Sequence, residues 1–227
     1  MNAHYDSVAI IIPAFNAEAT LASLVTSLKE YVEPASIVVV NDGSTDSTGS
    51  VANRAGVILL EHRANRGKGA ALRTGFEFVR RLPQFRLVMT LDADLQHRVE
   101  DIPRFLEVQR MSGADVIVGA RARIGTGMPF PRILSNTITS NLVSARTGIR
   151  ILDSQCGFRM FDRAVIETVK TESDGYESET EFLIKAAMKG FRIEFVPIST
   201  VYGTERSHMT HWATTFRFIK VLLKDYS

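Results

Sequence analysis

Leu87-Val88-Met89-Thr90-Leu91-Asp92-Ala93-Asp94-Leu95-Gln96-His97 decides how this chain is read. An apolar run stops abruptly at two carboxylates, Asp92 and Asp94, with only the small Ala93 between them. A run of this kind forms a buried strand, which puts the charge at the strand's C-terminal end. In an open α/β sheet that end is where ligands bind. Two carboxylates there repel each other, and burial sharpens the repulsion. A divalent cation relieves it, and aspartate oxygens are hard ligands suited to Mg²⁺ or Mn²⁺ bridging to a diphosphate. An aspartate N-cap with a solvated neighbour also fits these residues.

The rest of the composition narrows the class. The 227 residues are 45% hydrophobic and 23% charged, which describes an ordered globular chain. A net charge of +2 gives no case for nucleic acid as a partner. The single cysteine, Cys156, excludes an internal disulfide and suits a reducing compartment. No segment has the length of a membrane span, and the apolar run at Val8–Ile12 is too short for a secretory leader. The expected location is cytoplasmic, with attachment to a membrane surface left open.

Strand and helix signals alternate from Ser7 to Ala120. Strands are expected at Ser7–Pro13, Ile37–Val40, Val57–Leu60, Phe85–Leu91 and Ala114–Ala120. Helices are expected at Ala17–Tyr31, from Thr45 or Asp46 to Ala55, after Arg66-Gly67-Lys68-Gly69, and from Asp101 to Met111. This order builds βαβ units and a parallel sheet. Gly125–Pro131 reads as a loop. Beyond it the pattern predicts a helix at Ile133–Ala145, a strand at Gly157–Phe161, a helix at Glu179–Lys189, a strand at Phe191–Val196 and a helix at Thr214–Leu223.

Polar residues gather at the strand ends. Asp42 can accept from the edge of a nucleobase or make an Asx-turn beside Gly43. Phe15 can stack on the base. In Arg66-Gly67-Lys68-Gly69 the small residues let backbone N–H groups approach an anion, and Lys68 adds charge. That segment has neither P-loop spacing nor the G-x-G-x-x-G pattern.

Four segments, P-A-F-N-A-E, N-D-G-S-T-D-S-T, N-R-G-K-G-A-A-L-R-T-G and L-D-A-D-L-Q-H, together resemble the family 2 glycosyltransferases. The later D-S-Q-C-G-F-R-M-F, E-S-E-T-E-F-L-I-K-A-A-M-K-G-F-R-I-E-F-V-P-I and V-Y-G-T-E-R-S-H resemble the branch of dolichyl- and polyprenyl-phosphate sugar synthases. The resemblance spans Val8 to about Leu223. It implies a single GT-A domain, with residues 1–121 as the nucleotide-sugar half and 122–227 as the acceptor-side half. It also implies inverting transfer from a UDP- or GDP-sugar to a lipid phosphate. By position, Pro13, Phe15, Glu18 and Asp42 would hold the nucleoside, with Lys68, Asp92, Ala93 and Gln96 lining the same site. Asp94, with Asp92, would bind Mg²⁺ or Mn²⁺. Arg121 would face a donor or acceptor phosphate. Two positions depart from the branch: Ala17 stands where many relatives carry an acid, and Arg98 where the branch often has proline.

On the acceptor side, a sugar hydroxyl would need a general base, whereas a lipid phosphate is already anionic. Asp153, Glu177, Glu179 and Glu181 are the acidic candidates, and the turn at Asp153-Ser154-Gln155 favours Asp153. Arg159, Arg206 and His208 are the cationic or metal-binding candidates, and the resemblance implies that Arg206 and His208 lie on a loop that would close over the diphosphate; solvated loop residues also fit. His4, His62 and His211 lie in no matched motif and are read as structural, and Cys156 as a small buried residue. The last helix sets Phe216, Ile219, Leu222 and Leu223 among Arg217, Lys220 and Lys224, a pattern that suits a core-packed helix or an anionic membrane surface. A saccharide or protein acceptor, or a nucleotide-binding subunit without turnover, are the alternatives.

Overall fold

The computed structural model describes residues 5–121, 130–200 and 211–226. Seven strands form one sheet: β1 (Val8–Ala14), β2 (Ile37–Asn41), β3 (Ile58–Glu61), β4 (Leu87–Thr90), β5 (Val116–Arg121), β6 (Arg159–Asp162) and β7 (Ile193–Ile198). Their order is β3-β2-β1-β4-β6-β5-β7. Five of the β-α alternations predicted from the sequence are present, and β1, β2 and β4 are buried along nearly their whole length. Such burial on both faces is what continuous apolar runs specify. The pairings are parallel except around β6, which runs antiparallel to both β4 and β5. Periodicity marks a segment as a strand but not its neighbours, so this insertion of a late strand into the early sheet was not legible.

The helices are α1 (Glu18–Leu28), α2 (Thr48–Ala55), α3 (Lys68–Arg80), α4 (Ile102–Ser112), α5 (Phe130–Thr147), α6 (Arg163–Thr168), α7 (Glu177–Met188) and α8 (His211–Leu223). The short α6 was not anticipated. It has one turn and a half and is started by Asp162, whose carboxylate accepts from the Ala164 amide at 3.1 Å. Asp101 stands at the expected N-cap of α4, but its carboxylate accepts from the Ser199 amide at 3.0 Å and makes no capping bond. The Phe76, Phe161 and Phe182 rings meet with centroids 4.8–5.8 Å apart, which locks α3, β6 and α7 together under the sheet.

The sequence predicted that α8 would turn Phe216, Ile219, Leu222 and Leu223 to one side. Among its described side chains Phe218 and Val221 are buried and Leu222 packs partly on the core, while Ile219 and Leu223 are exposed beside Arg217, Lys220 and Lys224; the Phe216 side chain lies outside the described ones. On α5, Leu134, Ile138 and Leu142 are all about half exposed. Spaced four residues apart, they form one stripe along the helix.

Candidate active site

A cleft of about 790 Å³ opens at the C-terminal ends of β1, β2 and β4. Pro13, Phe15, Asp42, Lys68, Asp92, Ala93, Asp94, Gln96 and Arg121 all line it, so these sequence candidates come together in space. The later part of the chain contributes Asn136, Gln155, Tyr176 and Glu179. Phe15 is exposed at 44%, an aromatic face open to a ligand, and Tyr176 is exposed at 41% on the α7 side.

Lys68 is the electrostatic centre. Its Nζ lies 2.6 Å from Asp92 and 2.9 Å from Glu179, with the Tyr176 ring 5.6 Å away. Burial alone would pull the Lys68 pKa down, but the Asp92 and Glu179 carboxylates outweigh it and raise it. Burial likewise pushes Asp92 up, and Lys68, His97 and Arg121 together bring it below the usual range. The Asp92 carboxylate rests against the backbone at Gly157, where an added Cβ would sit 2.5 Å from Oδ2 and 2.8 Å from Cγ. The glycine of D-S-Q-C-G therefore makes room for Asp92. Asp94 accepts the Gln96 amide at 3.0 Å.

The glycines before α3 do not do what the sequence suggested. The Gly69 and Ala70 amides donate to the Asp174 carbonyl at 2.7 and 3.3 Å, so the helix N-terminus is already capped by the chain. Side chains at Gly67 and Gly69 would collide with the backbone of Ser173 and Asp174. These residues admit the 173–174 backbone, and the Lys68 side chain lines the cleft.

Asp42 follows β2, is 3% exposed, and has its carboxylate tied into the chain. Oδ1 accepts from His62 Nδ1 at 2.6 Å and from the Arg66 amide at 3.0 Å, and Oδ2 accepts from the Gly67 amide at 2.8 Å. Asp42 is thus at the cleft, but neither of the two readings made from the sequence covers what it does to the loop at 62–67.

Four expectations are corrected. Asp153 does not line the cleft. It is fully buried, holds Arg121 with both oxygens at 2.7 and 2.9 Å, and its carboxyl stays below the usual range because the Arg121 guanidinium outweighs burial. A carboxylate committed in this way orients Arg121 and is not placed to take a proton from an acceptor. Arg159 is 2% exposed, and its guanidinium donates to the Cys156, Ser154 and Glu179 carbonyls at 2.6–2.9 Å, so it braces the backbone beneath the site. Glu18 accepts from the Ser47 amide at 2.9 Å at the start of α2 and is not among the cleft residues. Glu179, ranked below Asp153 in the sequence, is the buried acid that reaches the cleft. Arg206 and His208 lie outside the described residues.

Beneath Asp92, His97 is buried with its Nε2 3.8 Å from Cys156 Sγ. Burial brings its pKa down to about 4, leaving the ring neutral at physiological pH. Burial also pushes the Cys156 thiol up to about 12, consistent with an inert packed residue.

These strand-end groups, a cleft ringed by carboxylates and cations on a mixed α/β sheet, coincide with a match between residues 9–170 and the model of glycosyl transferase family 2. The chain belongs to glycosyl transferase family 2. This family 2 glycosyltransferase is 33% identical to an uncharacterised protein of Methanocaldococcus jannaschii, over 96% of this chain and 90% of that one. It is 28% identical to the UDP-N-acetylglucosamine–dolichyl-phosphate N-acetylglucosaminyltransferase of Methanococcus voltae, over 85% of each chain. It is also 28% identical to the polyprenol monophosphomannose synthase of Mycolicibacterium smegmatis, over 84% of this chain and 76% of that one. Among solved structures it superposes with a TM-score of 0.77 on the glucosyl-3-phosphoglycerate synthase of Mycobacterium tuberculosis bound to Mn²⁺, UDP-glucose and phosphoglyceric acid. That pair is 19% identical over 96% of this chain and 79% of the other, a likeness of fold. The architecture is the GT-A fold that the sequence motifs implied.

Proposed function

We propose that this glycosyltransferase moves a sugar, with inversion, from a nucleoside-diphospho-sugar to a polyprenyl phosphate. The observation that carries the reading is a second cavity, about 890 Å³, that shares Arg121 with the first. Arg150 and the α5 residues Asn141, Ser144 and Ala145 also line it, and among the described residues no acidic side chain does. An acceptor hydroxyl would need a base on this side, whereas an acceptor phosphate needs only cations and alignment. Arg121, held rigid by Asp153, stands between the two cavities as a planar donor for phosphate oxygens.

In this reading an acceptor phosphate oxygen attacks the anomeric carbon of the donor. The new C–O bond forms as the bond to the nucleoside diphosphate breaks, and the electron pair leaves on the diphosphate. Lys68 and Arg121 meet the charge that grows there. Asp94, with Asp92, would hold Mg²⁺ or Mn²⁺, and a bound cation supplies further neutralisation of the leaving group. The residues fit such an ion: two hard carboxylates sit at one strand end, and among the described residues no cluster of three acidic, His or Cys side chains could hold it unaided. The diphosphate would complete the shell. Because Lys68 already pairs with Asp92, Asp94 carries more of the ligand role. His208 completes the set in the branch that the motifs resemble.

The lipid character of the acceptor draws on the relatives' names and on the α5 stripe. That stripe, Leu134, Ile138 and Leu142, lies on the helix that lines the second cavity, where Leu152 adds a further exposed apolar side chain. Among the described residues no helix is long and apolar enough to cross a membrane. In this reading the α5 stripe rests on the membrane surface, at the cytoplasmic face. A hydroxyl acceptor is the second reading, favoured by Glu179, an acid at the donor cleft.

The test offers UDP- and GDP-sugars labelled in the sugar, Mn²⁺ or Mg²⁺, and either polyprenyl phosphate or phosphoglycerate. Label in the organic phase, dependent on polyprenyl phosphate and lost in Arg150→Ala at low acceptor concentration, supports the proposal. Label transferred only to a water-soluble acceptor refutes it.

A further inference from the structure

The Asp42 carboxylate carries a specificity that its position alone does not reveal, and it comes from His62. A carboxylate has about four lone-pair sites. Three are used within the chain: His62 Nδ1 and the Arg66 amide on Oδ1, and the Gly67 amide on Oδ2. A ring nitrogen 2.6 Å from a carboxylate oxygen requires a proton between them, and Nδ1–H donates it. The other side of the ring is fixed as well. With the ring's proton on Nδ1, Nε2 accepts from the Thr74 hydroxyl, 2.9 Å away, for which the Ala70 carbonyl at 3.1 Å in the first turn of α3 is the alternative acceptor. The ring is buried, with a side-chain exposure of 5%. The carboxylate is therefore clamped in one orientation with one acceptor site unused among the described residues, and Asp42 lines the donor cleft.

We infer that His62 makes Asp42 a single-acceptor reader of the nucleobase, selecting an imide-bearing pyrimidine, uracil or thymine, over guanine. This rests on the proposed donor site. Uracil and thymine present one N–H flanked by two carbonyls, which one lone pair satisfies. Asn65, on the same loop, lines the cleft and its carboxamide carries the N–H that a flanking carbonyl needs. Guanine presents an N–H beside an amino group and pairs best with both oxygens of a free carboxylate. Here Oδ1 already accepts two bonds, so one guanine donor would be buried unpaired, the arrangement that discriminates most strongly. Cytosine presents an acceptor at its N3 and would face the carboxylate with a lone pair. His62 acts through Asp42 and is a positioning residue.

The experiment measures the affinity of UDP, TDP, GDP and CDP by calorimetry with Mn²⁺, for the wild type, His62→Ala, His62→Asn and Thr74→Val. UDP and TDP are expected to bind at least about tenfold tighter than GDP and CDP, a difference of one unsatisfied hydrogen bond. His62→Ala should weaken UDP and bring the UDP-to-GDP ratio within about threefold, because the carboxylate turns and regains a second acceptor. His62→Asn keeps a donor near Nδ1 and should restore the ratio. Thr74→Val frees the ring's far side, should move the ratio the same way, and carries the test if His62→Ala does not fold. Wild-type protein that binds GDP as tightly as UDP overturns the inference. So does a folded His62→Ala or Thr74→Val variant with an unchanged ratio. Failure of every nucleotide to bind would overturn the donor-site reading itself, a result distinct from binding without preference.

Discussion

Replacing Lys68 with methionine tests the electrostatic centre of the cleft. The substitution keeps length and removes the charge that Asp92 and Glu179 share at 2.6 and 2.9 Å. All three side chains are largely buried, Lys68 at 12% exposure and Glu179 at 6%. Removing one partner of a buried pair leaves an uncompensated charge and costs about 3–5 kcal/mol. Asp92 retains a quarter of its side-chain exposure, which places the expected loss at the lower end, about 3 kcal/mol. The pH dependence gives the sharper check. In the wild type the Asp92 pKa is depressed, so its contribution is present above the unfolded value of about 4 and is lost as pH falls through the folded one. Without Lys68 the main remaining influence is burial, which raises the pKa. A carboxyl that burial penalises favours the fold at low pH and loses that contribution as pH rises, so the variant's deficit should grow as pH rises above the unfolded value of about 4. Urea denaturation followed by circular dichroism at several pH values measures it. Mn²⁺ should raise the melting temperature of Lys68→Met more than that of the wild type, since the cation then meets Asp92 without its lysine partner. A deficit below about 1 kcal/mol at pH 7, or one that does not change with pH, would refute the assignment of Lys68 as the counter-charge.

Three further variants separate scaffold from site. Arg159→Lys should cost about 3 kcal/mol or more in a denaturation experiment, because an ammonium cannot reach the three carbonyls that the guanidinium fork satisfies. Gly157→Ala should lower the melting temperature and also weaken UDP binding by calorimetry, since the new Cβ displaces the Asp92 carboxylate from Lys68. Leu134→Gln, Ile138→Gln and Leu142→Gln together should cost under about 0.5 kcal/mol each while lowering co-sedimentation with anionic vesicles and leaving UDP affinity intact.

The parts of this molecule that sequence alone reveals are those fixed by local rules. Apolar runs at β1, β2 and β4 are strands because no other element buries both faces of so short a segment, and their ends are ligand sites because the sheet is parallel there. Pro13, Phe15, Lys68, Asp92 and Asp94 were legible for that reason. Residues whose meaning depends on a distant partner were not. Asp153 and Glu179 are both acids at turns or helix starts, yet one is spent on Arg121 and the other reaches the cleft beside Lys68. Arg159 looks like a substrate cation until β6 inserts between β4 and β5 and carries it under the sheet. His62 matches no motif, and its role exists only because the end of β3 lies beside the end of β2. The same logic applies to the glycines. Gly157 and Gly69 are both small residues next to charged ones, but the first admits a carboxylate and the second a backbone carbonyl. A charged side chain's function is set by how many of its hydrogen-bonding sites the fold leaves unspent. That count becomes readable only when the strand order is known: Asp42, which taken alone in the sequence is better explained by a turn than by a base contact, carries three donors from its own chain at the edge of the cleft, and the proposed base contact falls to its remaining acceptor site.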